Sequence, residues 1–267
     1  MIDLHIHTKF GDGKDTPADM ARAAKGAGIN VLGFSEHFPR PPGYDYPAED
    51  FNHTALASRW FDYASEVNRL KASSGDTPKI LFGTEIDYLP DEEETLRAGL
   101  SAFNFDFIIG SVHMIGKWGF DYNQKEWEGK DIDAIYDAYW ENMFKLLKSG
   151  LFDFVGHLDI IKVFRDSRPP KRDHTGSARE FLKEVAKRGL TIEINSGGLR
   201  KACRELTPSV GLIKEAVALR IPLTLGSDAH RAEDVGYHLP EVIEMIKGFG
   251  VREVVFFEKR RPVAVGI

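Results

Sequence analysis

Two histidines near the start of the chain have the spacing of a metal-binding pair. Residues 1–8 alternate apolar and polar side chains, which is the period of a β-strand. His5 and His7 therefore point to the same face, roughly 7 Å apart along the strand. Two imidazoles placed in this way can bind one metal ion or two neighbouring ions. A short buried strand whose histidines form internal hydrogen bonds would show the same spacing. This pair alone therefore does not distinguish a metal site from such a strand.

Similar residues end the apolar segments that follow. With the first pair, the set is His5, His7, His37, Glu85, His113, His157, Asp228 and His230, and it contains six of the nine histidines. Burying so many histidines and two carboxylates without an ion would be costly, because polar groups removed from water need partners. The set as a whole therefore favours a metal site. The other three histidines fall where loops or helix starts are expected and are interpreted as solvated or capping residues: His53, His174 and His238.

The donor atoms of this set are nitrogen and oxygen, with no sulfur. Such ligands suit Zn²⁺, Mn²⁺, iron or a mixture of these ions. There are more ligands than one ion can use, and Glu85, midway along the set, has two oxygens that could bridge two ions. A site with several ions can hold a bridging hydroxide as nucleophile and neutralise the oxygens of a phosphoryl group.

The elements that must position these residues alternate between short apolar and longer amphipathic runs. Strands are predicted at 1–8, 30–37, 79–87, 106–113, 153–157, 190–195, 222–228 and 253–257. Helices are predicted from Thr16 to about Gly28, over about 51–71 and 91–100, from Ile132 onward, around 181–186, after Thr207-Pro208 and over about 239–247. Thr16 and Thr207 each precede a proline, as an N-cap does. This alternation predicts an α/β fold with a closed or nearly closed parallel barrel, in which the C-terminal ends of the strands share one rim.

The bulk composition limits the kind of protein. The 267 residues, 42% hydrophobic and 28% charged, suit one α/β barrel domain over 1–267. A net charge of −6 argues against a broad cationic surface for nucleic acid. A single cysteine, Cys203, fits a reducing cytoplasm and excludes an internal disulfide. Without a bilayer-length apolar run or a signal peptide, we expect a cytoplasmic protein with no membrane partner.

Six motifs, taken together and in this order, resemble the PHP (polymerase and histidinol phosphatase) superfamily. They are HIHT at 5–8, SEH at 35–37, GTE at 83–85, GSVH at 110–113, GHLD at 156–159 and GSDAH at 226–230. The resemblance spans nearly the whole chain. It implies a distorted, TIM-like (β/α)7 barrel that holds three divalent metal ions at the C-terminal ends of its strands.

The resemblance also distributes the ligands over the three ions. The first ion would be held by His5, His7, Glu85 and Asp228. The second would be held by Glu85, His113 and His157. The third would be held by His37, His230 and a ligand from the loop after the first strand. Many phosphatases of the superfamily have a histidine in that loop, whereas this chain offers Asp12.

Two segments, 156–162 and 193–201, resemble the histidinol-phosphatase branch in particular. They place Lys162, Arg165, Arg200 and Lys201 in loops beside the expected site. Guanidinium groups match phosphate oxygens in pairs, so Arg165 and Arg200 are candidates for binding a phosphate, with Lys201 beside them.

The activity implied is that of a phosphomonoesterase, and first of all the hydrolysis of L-histidinol phosphate by a metal-bound hydroxide. Asp228 or His230 would relay the proton. Another phosphoesterase of the superfamily, acting on a small phosphorylated metabolite or a nucleotide, is the main alternative. A metal-dependent amidohydrolase is disfavoured because His113 stands where that family usually has a bridging lysine. A polymerase proofreading module is the third alternative.

Overall fold

Strands and helices alternate along the computed structural model, which describes residues 1–46, 52–73, 75 and 78–267. The helices are α1 (Pro17–Gly26), α2 (His53–Ser73), α3 (Glu93–Leu100), α4 (Ile132–Ser149), α5 (Thr175–Arg188), α6 (Val210–Ala218) and α7 (Leu239–Gly248). The strands are β1 (Ile2–Asp3), β2 (Val31–Phe34), β3 (Lys79–Asp87), β4 (Phe107–Ser111), β5 (Met114–Ile115), β6 (Trp118–Gly119), β7 (Phe154–Val155), β8 (Thr191–Asn195), β9 (Leu223–Gly226), β10 (Glu253–Glu258) and β11 (Arg261–Gly266). Phe51, where α2 was predicted to begin, lies outside the described residues.

Seven parallel strands form a nearly closed barrel in the order β1-β2-β3-β4-β7-β8-β9. Hydrogen bonds cross from the first strand segment to the last: the Leu4 amide donates to the Leu225 carbonyl and the His7 amide to the Ala229 carbonyl, each at 2.9 Å. The predicted (β/α)7 barrel is therefore confirmed. The first strand is shorter than predicted, because only Ile2 and Asp3 pair continuously with β2 and the chain then continues towards β9.

Aromatic rings fill the interior at the N-terminal end of the barrel. Phe107 and Phe154 stack with ring centroids 5.7 Å apart, and Phe257 of β10 stacks on Phe154 at 5.5 Å. Phe107 needs the space that two glycines leave, since a Cβ on Gly33 or Gly83 would lie 2.6 or 2.3 Å from its ring. This packed floor leaves the opposite end of the barrel free for polar residues.

Of the two threonines predicted to cap helices, only Thr16 does so. Thr16 caps α1, since its Oγ1 accepts a hydrogen bond from the Asp19 amide at 3.1 Å. The prediction for Thr207 is wrong. Its backbone pairs with Asn195 at the end of β8, so the helix begins only after Ser209, which is the N-cap of α6.

The last predicted strand does not join the barrel. β10 pairs antiparallel with β11, and β10 lies beside β9, while its Phe257 stacks on Phe154 of β7. A second, short hairpin joins β5 and β6 near the rim. Among the described residues, no helix is both long enough and apolar enough to span a membrane.

Candidate metal centre

The nine predicted ligands meet at the rim formed by the C-terminal ends of the barrel strands. Seven of them are buried, and the side chains of Asp12 and His230 are about one third exposed. Within the described part of the chain, five groups of three ligand atoms lie within 4.8 Å of one another, and together they include all nine. The parallel barrel explains this convergence, because the nine residues lie at or after the C-terminal ends of six of its seven strands.

Glu85 of β3 lies at the centre of the cluster. Its Oε2 is 3.3 Å from His5 Nε2 and 3.5 Å from His7 Nε2. Its Oε1 is 2.8 Å from His157 Nε2 and 3.6 Å from His113 Nε2. The two carboxylate oxygens therefore face two different pairs of imidazoles, as a carboxylate shared between two ions would.

Asp228 completes the group formed by His5 and His7. Its Oδ1 lies 3.5 Å from His7 Nε2 and 3.8 Å from His5 Nε2. Asp228 has a positive φ of 55°, a left-handed conformation that non-glycine residues adopt uncommonly. Arg200 stabilises this conformation, since its Nη2 donates to the carbonyls of Ser227 and Asp228, each at 2.8 Å.

Of the third predicted ligand set, only His230 and Asp12 meet as expected. His230 Nε2 is 3.0 Å from Asp12 Oδ2, which brings the loop ligand to the rim. His7, rather than His37, is the third member within reach of both residues. The His7 ring is stacked with the rings of His37 and His230, with centroids 4.5 Å apart in each case, and His37 Nδ1 lies 3.3 Å from Glu85.

A layer of carboxylates that sequence analysis missed orients the histidines. Glu193 of β8 accepts a hydrogen bond from His5 Nδ1 at 2.7 Å, and Asp87 of β3 accepts one from His113 Nδ1. Both bonds leave Nε2 of each ring directed at Glu85. Carboxylates that bind the far nitrogen of a metal-ligating histidine fix its tautomer and raise its basicity. Asp87 is two residues from Glu85 on β3, and this period-two spacing was the available signal for Asp87.

The charges of the cluster shift the pKa of its members strongly. Burial alone would raise the pKa of Glu85, but His5 and His37 hold it well below its ordinary value. Burial lowers the pKa of His37 to about 3. Burial opposes protonation of His113 and His230 as well, yet Asp87 and Asp12 respectively raise their pKa values to about 9. The rim therefore holds carboxylates that need a cation close by.

The residues present fit divalent metal ions. His5 Nε2 is buried and has no hydrogen-bond partner among the described residues, although it faces Glu85 and Asp228. Oδ1 of Asp12 is another buried atom of this kind. Nitrogen and oxygen atoms that converge without hydrogen bonds suit a divalent ion, which would satisfy them together.

The cluster forms the floor of a cavity of about 320 Å³. Four residues that sequence analysis did not single out also line this cavity: Lys14, Tyr46, Asp121 and Tyr122. Tyr46 donates a hydrogen bond to Asp121 Oδ1 at 2.8 Å. These residues come from loops without a motif of their own, so only the fold brings them to the site.

The three predicted substrate-binding cations lie in different places. Lys201 lines the cavity, and its Nζ is 3.7 Å from Asp228 Oδ2. Arg200 does not line it, because its guanidinium holds the backbone of the Asp228 segment and lies over the Tyr237 ring at 4.7 Å. Arg165 pairs with Glu205 at 2.7 Å and lines a different cavity. The structure thus brings only Lys201 of the three to the metal cluster.

The three histidines that were not predicted as ligands each lie at the start of a helix. His53 is the first residue of α2, and His174 and His238 are the N-cap residues of α5 and α7. Cys203 is buried, with its thiol against the Gly198 carbonyl.

Comparisons with known proteins agree with this geometry. A probable histidinol-phosphatase from Deinococcus radiodurans is 33% identical over 97% of this chain and 98% of its own length. The histidinol-phosphatase of Bacillus subtilis is 28% identical over 91% of this chain and 98% of its own length.

The fold is also that of a solved structure. The crystal structure of histidinol phosphate phosphatase from Lactococcus lactis, in complex with zinc, L-histidinol and phosphate, covers 98% of both chains with a TM-score of 0.79 and 21% identity. The model of the PHP domain family matches residues 3–197, which include the predicted ligands from His5 to His157. The remaining two predicted ligands, Asp228 and His230, follow β9. The chain therefore belongs to the PHP domain family.

Proposed function

We propose that this protein is a metal-dependent phosphomonoesterase that hydrolyses L-histidinol phosphate to L-histidinol and phosphate. The observation that carries the proposal is the cluster of buried nitrogen and oxygen ligands around Glu85, at the floor of a cavity with a lysine in its wall. Full-length similarity to the Deinococcus radiodurans and Bacillus subtilis proteins supports the choice of substrate.

We propose that the cluster holds three divalent ions, with zinc, manganese and iron as candidates. As predicted from the sequence, His5, His7, Glu85 and Asp228 would hold the first ion, Glu85, His113 and His157 the second, and Asp12, His37 and His230 the third. His7, which lies within reach of both Asp12 and His230, would also face the third ion. When bound, such ions supply Lewis acidity to phosphate oxygens and lower the pKa of water. Elemental analysis of protein purified without chelator should return three ions per chain, and one ion or fewer in fully active protein would contradict this.

Lys201 is the residue that we expect to bind the phosphate. Burial opposes its protonation, but the nearby carboxylates, Asp228 first and then Asp121, Asp12 and Glu85, together raise its pKa, so Lys201 is cationic at neutral pH. Losing one charged hydrogen bond typically costs about 1.5–3 kcal/mol, or roughly tenfold to a hundredfold. Lys201→Met should lower kcat/KM for a phosphomonoester by that factor, whereas Lys145→Met, on the outer face of α4, should not. Equal kinetics in the two variants would exclude this role for Lys201.

Asp228 and His230 are the residues that could pass a proton to the leaving alcohol. Asp228 lies between Lys201 and the two first histidines, and His230 stands at the solvent side of the cluster. Because both are also proposed ligands, their substitution should change metal content and rate together. A variant of His230 that kept all its ions and lost only rate would assign the proton to His230.

Asp121 gives the cavity a group that suits an amino alcohol. L-Histidinol phosphate carries an ammonium group near its phosphoester, and Asp121 lines the same cavity as Lys201, the residue that we expect to bind the phosphate. A carboxylate accepts hydrogen bonds from an ammonium group with the strength of a charged pair. The site therefore has separate partners for the two charges of this substrate.

The proposal is tested by the substrate preference of the metal-loaded protein. L-Histidinol phosphate should be hydrolysed with a higher kcat/KM than p-nitrophenyl phosphate, O-phosphoserine or AMP. A higher value for AMP or another member of the panel would identify a different phosphoesterase on the same metal centre. No phosphate release from any compound would exclude phosphatase activity.

A further inference from the structure

Arg40 is a fully buried arginine beside the metal centre that belongs to none of the predicted ligand sets. It lies on the segment between β2 and α2, and its side chain has no exposed surface. Removing a guanidinium group from water is costly unless its charge and its N–H groups find partners. The partners of Arg40 therefore indicate its role.

The charge of Arg40 is paired with Asp87 of β3. Its Nη1 donates to Asp87 Oδ2 at 2.7 Å, and Asp87 is itself only 1% exposed. The other oxygen of this carboxylate, Oδ1, accepts the hydrogen bond from His113 Nδ1. One carboxylate is thus shared between Arg40 and a predicted metal ligand. Arg40 therefore fixes the position of the group that orients His113.

The same guanidinium group lies over the ring of Tyr46. Its Cζ is 4.8 Å from the ring centroid, a distance at which a cation is attracted to the face of an aromatic ring. Its Nε donates to the Tyr44 carbonyl at 2.7 Å, which holds the backbone two residues before that ring. The ring is also in close contact with Gly119 of β6, where a Cβ would lie 2.3 Å from it. Arg40 and Gly119 therefore confine the Tyr46 side chain.

Tyr46 in turn positions a carboxylate of the cavity wall. Its hydroxyl donates to Asp121 Oδ1 at 2.8 Å, and both residues line the cavity that has the metal cluster as its floor. Neither Arg40 nor Asp87 lines this cavity. Arg40 is therefore placed to act on a bound substrate through Tyr46 and Asp121 rather than by touching it.

We propose that Arg40 is a positioning residue that links the two sides of the site: it holds Asp87 against His113 on the metal side, and Tyr46 against Asp121 on the substrate side. A guanidinium group suits this task because its donors point in several fixed directions from one plane, whereas a lysine ammonium is a single flexible point charge. The substrate side rests on the proposed function, since it takes Asp121 as the partner of the substrate ammonium group. The metal side does not.

Zinc affinity, measured by competition with a chelator, tests the metal side. Arg40→Met should lower it about tenfold, the lower end of the range for removing the support of a ligating histidine. Arg40→Lys should recover most of this loss, because an ammonium group still pairs with Asp87. In an Asp87→Asn background, Arg40→Met should cause little further loss, since its effect passes through Asp87.

The Michaelis constants of two substrates, measured with the metal-loaded protein, test the substrate side. Tyr46→Phe removes the hydrogen bond to Asp121 and should raise KM for L-histidinol phosphate about tenfold more than KM for p-nitrophenyl phosphate, which has no ammonium group. Arg40→Lys should do the same, because a lysine paired with Asp87 cannot also hold Tyr46. In an Asp121→Asn background neither substitution should change the ratio of the two constants further.

A surface arginine provides the matched control. Arg179 pairs with Glu215 on the outside of the barrel, so Arg179→Met should change neither zinc affinity nor the ratio of Michaelis constants. Thermal unfolding shows which variants fold. If Arg40→Met does not fold, Arg40→Lys and Tyr46→Phe still test the proposal, because both should keep zinc affinity close to that of the wild type while changing the ratio of Michaelis constants.

Three results would overturn the proposal. Wild-type zinc affinity in folded Arg40→Met, or a loss that adds fully to that of Asp87→Asn, would exclude the link through Asp87. An unchanged ratio of Michaelis constants in Arg40→Lys would exclude the link through Tyr46. An equal loss of zinc affinity in Tyr46→Phe and Arg40→Met would reduce Arg40 to a general role in packing. A wild-type protein that does not hydrolyse L-histidinol phosphate would contradict the proposed function alone, and the zinc measurements would still decide the role of Arg40.

Discussion

The Glu85→Gln variant tests whether Glu85 binds two metal ions at once or only one. The two side chains have nearly the same shape, and the glutamine carbonyl can still accept the hydrogen bond that Ser111 Oγ donates to Oε1 at 2.6 Å. What the amide removes is the negative charge and one of two anionic oxygens. Those oxygens face His5 and His7 on one side and His157 on the other.

The expected loss follows from this double role. Removing a group that only supports a metal-ligating histidine costs about 10–100-fold in metal affinity or activity. Glu85 is expected to touch the metal itself at two positions, so each of two ions should be weakened by at least about 100-fold. Asp12→Asn is the matched control, since it makes the same chemical change at a residue that belongs to one group at the rim.

The assay combines elemental analysis after dialysis with steady-state kinetics. Glu85→Gln should lose two ions and nearly all phosphatase activity, whereas Asp12→Asn should lose at most one ion and keep more activity. Thermal unfolding of both variants checks that they fold. Equal losses in the two variants, or full metal content in Glu85→Gln, would refute the view that Glu85 joins two ions.

Four further predictions concern the carboxylate that orients His113, the recognition of the substrate's ammonium group, the pH dependence of metal binding and the packing at the base of the barrel. Asp87→Asn weakens the hydrogen bond to His113 and should lower zinc affinity about 10–100-fold, as measured by competition with a chelator. An unchanged zinc affinity would exclude an orienting role for Asp87. Asp121→Asn should raise KM for L-histidinol phosphate and leave that for p-nitrophenyl phosphate unchanged; an equal rise for both would show that no ammonium group is recognised. Because the pKa values of His113 and His230 are about 9 without metal, protons must leave on binding. Zinc affinity should therefore rise from pH 7 to pH 9 and level off above it, and a flat profile would contradict those pKa values. Gly83→Ala places a methyl group against a buried ring and should lower the free energy of unfolding by about 1–3 kcal/mol in urea titrations, whereas wild-type stability would mean that the floor can repack.

The convergence of the predicted ligands at one rim could be foreseen because these residues combine two simple signals. Each follows an apolar run of strand length, and a parallel barrel brings the ends of such runs to one rim. The motifs 83–85 and 226–230 then placed Glu85 and Asp228 among the histidines. Asp12 was found only as a substitute in a loop, and the structure brings it to His230.

The supporting residues could not be predicted because their partners are distant in the sequence. Glu193 binds His5 across 188 positions, and nothing local marks it as different from other strand carboxylates. Arg165 and Arg200 were predicted to bind phosphate from the position of their loops alone. Their loops were correctly placed near the site, but the direction of each side chain depends on neighbours such as Glu205 and the Ser227 carbonyl.

The most direct test of the account is the release of phosphate from L-histidinol phosphate before and after the metal ions are removed. The metal-loaded protein should hydrolyse this substrate, lose the activity on exhaustive chelation and regain it when zinc or manganese is restored. Full activity in protein shown by elemental analysis to be free of metal would contradict a catalytic role for the Glu85 cluster.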